Sequence, residues 1–504
     1  MQIGQKAIPV VWAWTSDPAF NRTRYGGYAR FLSDEQAARL ERIRQARLLF
    51  DGEHRQYYLD EARTEFDFQQ LMVQGNIIQP YSTINVLGLS SRKFADLLFG
   101  AAPTVSVDDQ AQQGALDDLV KRNKLQSLLH NCAADASADG ECFLESVIFN
   151  GHVYLRQLDA AEVFPEGDLE PDGQYRSYVR YLVSDIGTRQ SPLPLLLEMR
   201  YLAGSIERRC YQLGQKGERI QEVSLDYWPL KPGQAKLQPL TRTGLTRNLI
   251  TWIPNMLSRG RAVSDYDGSA LRLQDKLNAK DTQIDCILAK HADPTLAVPA
   301  RAADDKGNAR SRYKVWWYDE PESIPKYIVR DLQLEAPIAD ARRALNNLCI
   351  VIEMSPVLLG IKEGAAPDAY KKVRLESFNA IKKAERKAAY WTDGLTRALE
   401  VAQDLEQMLP TGISYRRWPI AVEVNDGIPQ DAVDVANELS ILRAAGLLSR
   451  RKALTRLYGD STAVEDEIQE LEAEAKANTP NILIGEPGET PEEPVGETDM
   501  GDDQ

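Results

Sequence analysis

DAYKKVRLESFNAIKKAERKAAYWTDGLTRALEVAQDLEQM, residues 368–408, is the stretch whose reading decides the fold. Tyr370, Val373, Phe378, Ile381, Ala384, Ala388, Trp391, Leu395, Leu399, Ala402 and Leu405 advance by three or four residues nearly throughout, the period of an α-helix. At 1.5 Å per residue this is a rod of roughly 60 Å. Gly394 sits in its interior, where glycine costs about 1 kcal/mol relative to alanine, so a kink is expected there. Lys371, Lys372, Arg374, Lys382, Lys383, Arg386, Lys387 and Arg397 sit in the first three-quarters of the rod, against Glu376, Glu385 and Asp393. Two readings remain open: a solvated face with i,i+4 pairs, or a basic wall turned toward DNA or a neighbouring subunit.

Upstream, the loop SPVLLGIKEGAAP (355–367) separates the rod from a helix over 337–353, with Pro337 near the favoured first-turn position. A longer helix is expected over 264–291, with Leu273, Leu277, Ile284, Ile287 and Leu288 on one stripe. Residues 292–330 read as irregular or β-like, with the polar loop DDKGNARSR between strand candidates LAVPA and YKVWWY. Before them, 141–260 is a series of short runs rich in β-branched and aromatic residues, such as ECFLESVIF, YRSYVRYLVS and LITWIPN. Turn signals at Asn150-Gly151, Asp172-Gly173 and Pro232-Gly233 divide them, which predicts a largely antiparallel sheet in an α+β domain. Helices are expected from an N-cap at Ser33 to Phe50-Asp51-Gly52, over 83–100, and over 116–140. Downstream of the rod come a strand at 413–424 and three short helices. The remainder, 478–504, is rich in Pro, Gly and Glu and is expected to be disordered.

A chain of 504 residues exceeds the roughly 250–300 at which single cores stop growing, so several domains are expected. Hydrophobic residues at 43% and charged residues at 27% are ordinary for a soluble folded protein. No run approaches the roughly 18 apolar residues of a membrane span, and no signal peptide is read at the start. Cys132, Cys142, Cys210, Cys286 and Cys349 are scattered and lack CxxC spacing, so they read as buried thiols. His54, His130, His152 and His291 are equally dispersed, so neither a metal nor a cofactor is expected. No nucleotide-binding, zinc-protease or hydrolase motif occurs, and no enzyme is expected. The net charge of −14 sits entirely beyond residue 459, where 15 acidic residues meet one lysine. The preceding residues hold 59 charges of each sign, and a tight grip on DNA would call for a basic excess. One segment points the other way. ANELSILRAAGLLSRRKALTRLY (436–458) has a helix-turn-helix outline with Arg450, Arg451, Lys452 and Arg456 on its second helix. The alternative reading is therefore a DNA-binding regulator using 430–458.

The order of these elements resembles the portal, or head-to-tail connector, proteins of long-tailed phages. The stretches that carry the resemblance are RLERIRQARLLFDGEH (39–54), the run from IPN (253–255) through SDYDGSALRLQDKLNAKDTQIDCILAKH (264–291), the helix-loop-rod of 337–408, and IPQDAVDVANELSILRAAGLLSRRKAL (428–454). The resemblance implies a ring, dodecameric in that family, with an α/β wing, helical stem, β-like clip, long kinked helix and helical crown. It places an N-terminal arm at 1–35, the wing at 36–263 joined by strand 413–424, and stem helices at 264–291 and 331–354. The clip falls at 292–330, a tunnel loop at 355–367, the long helix at 368–408, the crown at 425–477, and an acidic tail at 478–504. It further implies a tunnel-loop constriction at Leu359, Gly360, Ile361, Lys362, Glu363 and Gly364. Clip residues Arg310, Arg312, Lys314, Trp316 and Trp317 would dock the motor and the adaptor. Implied partners are other copies of the chain, the terminase large subunit, major capsid and scaffolding proteins, a head-completion adaptor, and double-stranded DNA passing without sequence preference. The implied location is one vertex of the virion, after assembly in the host bacterial cytoplasm.

Overall fold

Ser33 starts the first helix, α1 (Asp34–Phe50), through a capping box. Its hydroxyl accepts from the Gln36 amide at 3.2 Å, and the Gln36 side chain accepts from the Ser33 amide at 3.0 Å. In the computed structural model the described residues are 10–12, 30–60, 63–64, 81–186, 193–214, 217–230, 236–292, 295–297, 326–328, 334–361, 374–409, 418–424, 432–458, 464 and 467–471. They fall into two units, Met1–Ile428 and Pro429–Gln504.

In the first unit, Asn85 both caps helix α2 (Val86–Phe99), accepting from Gly88 N at 2.8 Å, and donates to Phe50 O at the end of α1 at 2.9 Å. One side chain thus joins two helix ends. The single helix expected over 116–140 is instead two, α3 (Gln110–Asn123) and α4 (Leu125–Asp139). Lys124 breaks them with a left-handed backbone, φ 47°. No glycine announces this break; the Asn123 side chain holds it by accepting from Leu155 N at 2.8 Å and donating to Leu119 O at 2.8 Å.

Every strand pair described is antiparallel. The larger sheet runs β1 (Val10–Trp12), β6 (Tyr175–Asp185), β7 (Pro194–Leu202), β8 (Ser205–Leu213), β10 (Leu240–Arg242), with β5 (Val163–Leu169) beside β6 and β9 (Arg219–Val223) beside β8. Part of the N-terminal arm therefore pairs with the chain's own sheet, Val10 opposite Asp185. The smaller sheet is β11 (Ile250–Pro254), β3 (Glu141–Phe149) and β4 (His152–Leu158). The architecture is α+β. Strand β2 (Thr104–Ser106) pairs with β16 (Ala421–Glu423), more than 300 residues away. Gln112 clasps this return, accepting from Trp418 N at 2.8 Å and donating to Trp418 O at 3.1 Å. In the 292–330 region, Thr295–Ala297 pairs with Lys326–Ile328; the other strand candidate, 313–318, lies outside the described residues.

Helices α5 (Gly268–Ala292) and α6 (Glu335–Val351) pack on each other and are tied by Lys280 and Asp340 at 3.0 Å. The rod is α7 (Phe378–Met408), and two cores share it. Trp391, Leu395, Ala398, Leu399, Ala402 and Leu405 belong to the core under the sheets, with Phe143, Leu196 and Trp252. Ala380 and Ala384 belong to a second core built from Leu49, Phe94, Leu277, Leu348 and Ile352. The helix passes through Gly394 without a break in its assignment, and the glycine has a packing reason. A Cβ at 394 would lie 2.5 Å from Cγ1 of the fully buried Ile253. In the second unit, α8 (Ala432–Ala444) turns at Gly446, φ 70°, into α9 (Arg450–Tyr458).

Helix propensity alone would make Gly394→Ala stabilising by about 1 kcal/mol. The Ile253 contact reverses the sign: a loss of about 1–3 kcal/mol is expected in urea unfolding, as for overpacked cores. Ile253→Ala in the same chain should recover much of it, and additive effects of the two changes would disprove the contact as the cause.

Candidate channel segment and basic face

The segment between α6 and α7 begins with a helix stop. Glu353 takes a left-handed backbone, φ 56°, while its amide bonds Ile350 O at 3.2 Å and the Met354 amide bonds Cys349 O at 2.9 Å. This is the Schellman pattern with a glutamate where glycine is usual. Ser355 to Ile361 then form consecutive turns, with Leu358 N to Ser355 O at 3.1 Å, Leu359 N to Pro356 O at 3.1 Å and Ile361 N to Pro356 O at 3.0 Å. Gly360 supplies the positive φ, +82°, and a Cβ there would meet nothing within 4 Å. Leu358 and Leu359 pack partly buried on the second core. Leu359 thus helps to anchor the segment on the subunit's own core. Gly360 is exposed and Ile361 half-buried, while Lys362, Glu363 and Gly364 lie outside the described residues.

The basic cluster of α7 does not act as one face. Lys371 and Lys372 lie outside the described residues, and Arg374 is exposed at the start of the rod. Lys382 is exposed and pairs with Glu385 at 2.6 Å, and Arg386 reaches Glu353 at 2.5 Å. Lys383 and Lys387 turn inward, only 5% and 1% exposed, which removes them from any surface facing DNA or a neighbour. The reason is a carboxylate that sequence reading missed. Asp265, buried where the chain approaches α5, pairs with Lys383 at 2.9 Å and with Lys387. Asp267, two residues on, caps α5 by accepting from Ala270 N at 2.8 Å.

Around this cluster the polar groups are placed in register. Lys383 donates to the carbonyl of Ile352, the C-cap of α6, at 2.9 Å, where a cation also meets the negative end of the helix dipole. Both ammonium groups lie over the Phe94 ring, 4.8 and 4.3 Å from its centroid. Ser137 donates to Asp265 at 2.5 Å. Burial would raise the Asp265 carboxyl, but the two ammonium groups and the Ser137 hydroxyl overcome it and hold it well below the usual carboxylate range. Burial pushes Lys387 down to about 8, with Asp265 opposing the shift and Lys383 adding to it.

A cavity of about 350 Å³ lies elsewhere, lined by Arg47, Asp51, Asp135, Asp139 and Asp159. Arg47 bridges Asp139 and Asp159, both at 2.6 Å, fastening α1 to the end of α4 and to the turn after β4. Among the described residues no group of three or more His, Cys, Asp or Glu is placed to hold a metal ion. The clip residues Arg310, Arg312, Lys314, Trp316 and Trp317 lie outside the described residues. In the helix-turn-helix outline, Arg451 and Lys452 are exposed on α9.

Residues 364–481, holding the long helix and the short helices after it, match the sequence profile of the family described as phage portal protein, SPP1 Gp6-like. The resemblance to phage portal proteins stands on that match. No curated protein matches the chain. Among solved structures, matches include the neck of an empty gene transfer agent particle computed with C6 symmetry, the virion of the native particle, and the native neck computed with C12 symmetry. Their identities to this chain are 14%, 14% and 15%; each covers 74% of this chain and 89% of the matched one, with a TM-score of 0.40.

Two lysines sharing one carboxylate give an asymmetric expectation. Asp265→Asn leaves two buried ammonium groups without an anion and should cost about 3–5 kcal/mol. Lys387→Met leaves a one-to-one pair and should cost at most about 1 kcal/mol in urea unfolding. Equal losses would contradict the shared-carboxylate geometry. Between pH 8 and 10.5 the unfolded chain keeps a proton on Lys387 that the folded chain has released, so this residue makes stability rise with pH. The rise is on the order of 3 kcal/mol. Wild type minus Lys387→Met, followed across that window, should show it.

Proposed function

We propose that this chain is one subunit of a portal ring, the channel at a single capsid vertex through which DNA is packaged and later ejected. The observation that carries the reading is the family match over 364–481, the long helix and the helices that follow it. On this reading residues 36–263 form the wing, joined by 413–424, with 264–291 and 331–354 as the stem. Residues 292–330 form the clip, 355–367 the tunnel loop, and 425–477 the crown. The ring would be a dodecamer, docking the terminase large subunit and then a head-completion adaptor at the clip, and meeting capsid and scaffolding proteins at the wing.

Physical chemistry supports a passive conduit. Stable phosphate contacts would slow sliding, and counterion release makes each such contact count. Up to residue 459 the chain is charge-balanced, and Lys382 and Arg386 on the long helix already pair with Glu385 and Glu353. Ile350 in the last turn of α6 and Leu375 and Phe378 where α7 begins are exposed, and a neighbouring subunit in a ring would cover such apolar side chains.

Native mass spectrometry with negative-stain imaging of the full chain tests this. A closed ring of about a dozen copies with a central hole, and only weak, salt-sensitive DNA binding, is the expected result. A monomer or dimer at all salt and protein concentrations, binding duplex DNA through 430–458, would replace this reading with that of a regulator.

A further inference from the structure

The Asp265 cluster lies at a meeting point of the chain that its local chemistry does not require. Asp265 belongs to the approach to α5, Ile352 to the end of α6, and Lys383 and Lys387 to the second and third turns of α7. Ile352 and Lys383 lie 31 positions apart in sequence, and the turns of 355–361 follow directly on the end of α6. The 2.9 Å bond from Lys383 Nζ to Ile352 O ties the end of α6 to the second turn of α7. The pair with Asp265 ties the same lysine to the base of α5. A second, outer link repeats the connection one helical turn on, where Arg386 holds the left-handed Glu353 at 2.5 Å.

The inner link is unevenly balanced. It buries two cations with one anion, and the surplus charge is met by the Ile352 carbonyl, the face of Phe94 and the more distant Glu353 carboxylate. Lys387 has Asp265 and that ring as its partners, whereas Lys383 carries the bond to α6. Lys387 therefore competes with Lys383 for the single carboxylate while adding nothing to the tie itself.

We propose that Asp265, Lys383 and Lys387 form an internal latch that clamps the end of α6, where the turns of 355–361 begin, to α7 and the base of α5, with Lys387 holding the latch below its full strength. The latch is a property of the folded subunit, so it stands or falls independently of the ring reading. Its consequence is mechanical. With the latch closed, the turns of 355–361 start from a base fixed to both α5 and α7. With the latch open, the turns of 355–361 lose their fixed base.

Amide hydrogen exchange of the full-length chain, read by mass spectrometry, separates a latch from ordinary core packing. The reporters are the bonded amides of Leu358, Leu359, Gly360 and Ile361, with strands Pro194–Leu202 and Ser205–Leu213 as the reference. Lys383→Met should speed exchange of the four reporters at least tenfold while the reference strands stay within twofold of wild type; Asp265→Asn, which also lowers global stability, should speed the reporters by more than it speeds the reference strands. Lys387→Met should leave the reporters unchanged or slow them, the opposite direction from its neighbour four residues earlier. Glu353→Gln, which cuts only the outer link on the surface, should give a smaller acceleration confined to the same reporters. Should Asp265→Asn fail to fold, Lys383→Met and Lys387→Met decide the matter alone. Equal acceleration of reporters and reference strands, or the same direction of change for both lysines, would overturn the latch and leave a packing role.

Discussion

A single buried carboxylate, Asp265, is the constraint on which the arrangement of the helices depends. It must be neutralised where it lies, and α7 supplies two lysines four residues apart to do so. Once those lysines point inward, the rotation of α7 is decided along its whole length. Trp391, Leu395 and Leu399 then face the sheet core, and Gly394 meets Ile253 where any side chain would collide. The same rotation turns Lys382 and Arg386 outward, to partners on the surface. Electrostatics at one end of the helix and steric fit in its middle thus impose the same orientation.

Much of the architecture was legible because it follows from periodicity. The N-cap at Ser33, the antiparallel runs of 141–254, the paired helices near 268–292 and 335–351 and the long helix are all visible as patterns of capping, apolar and turn residues. What stayed hidden has a physical reason in each case. The break at Lys124 follows from an asparagine bonded to a distant strand, and no turn residue marks it. Gly394 reads as a weakness in a helix, but its cause is a neighbour 141 residues away in sequence.

The basic residues of the long helix show the limit most clearly. Lys382-Lys383 and Arg386-Lys387 are two doublets at a spacing of four, so one member of each must share a face with the core. That much was available from the sequence. Which member turns inward depends on Asp265, and nothing in SDYDG (264–268) distinguishes that aspartate from the helix cap Asp267 beside it. Charge counts on a helix therefore overstate what it offers to a polyanion whenever part of the charge is spent inside the subunit.

The pairing of Thr104–Ser106 with Ala421–Glu423 carries a consequence for the order in which the chain acquires its structure. The sheets are complete in sequence by Pro254, but their core is closed by Trp391, Leu399 and Leu405 and sealed by a strand beyond residue 420. A ribosome emitting the chain releases the sheets well before their cover. For the time needed to synthesise some 150 further residues, Leu196, Trp252 and their neighbours lack the helix that buries them. Contacts of such long sequence separation form late and slowly. A nascent subunit is therefore most exposed to aggregation during that interval, and chaperone protection matters there more than at any later stage.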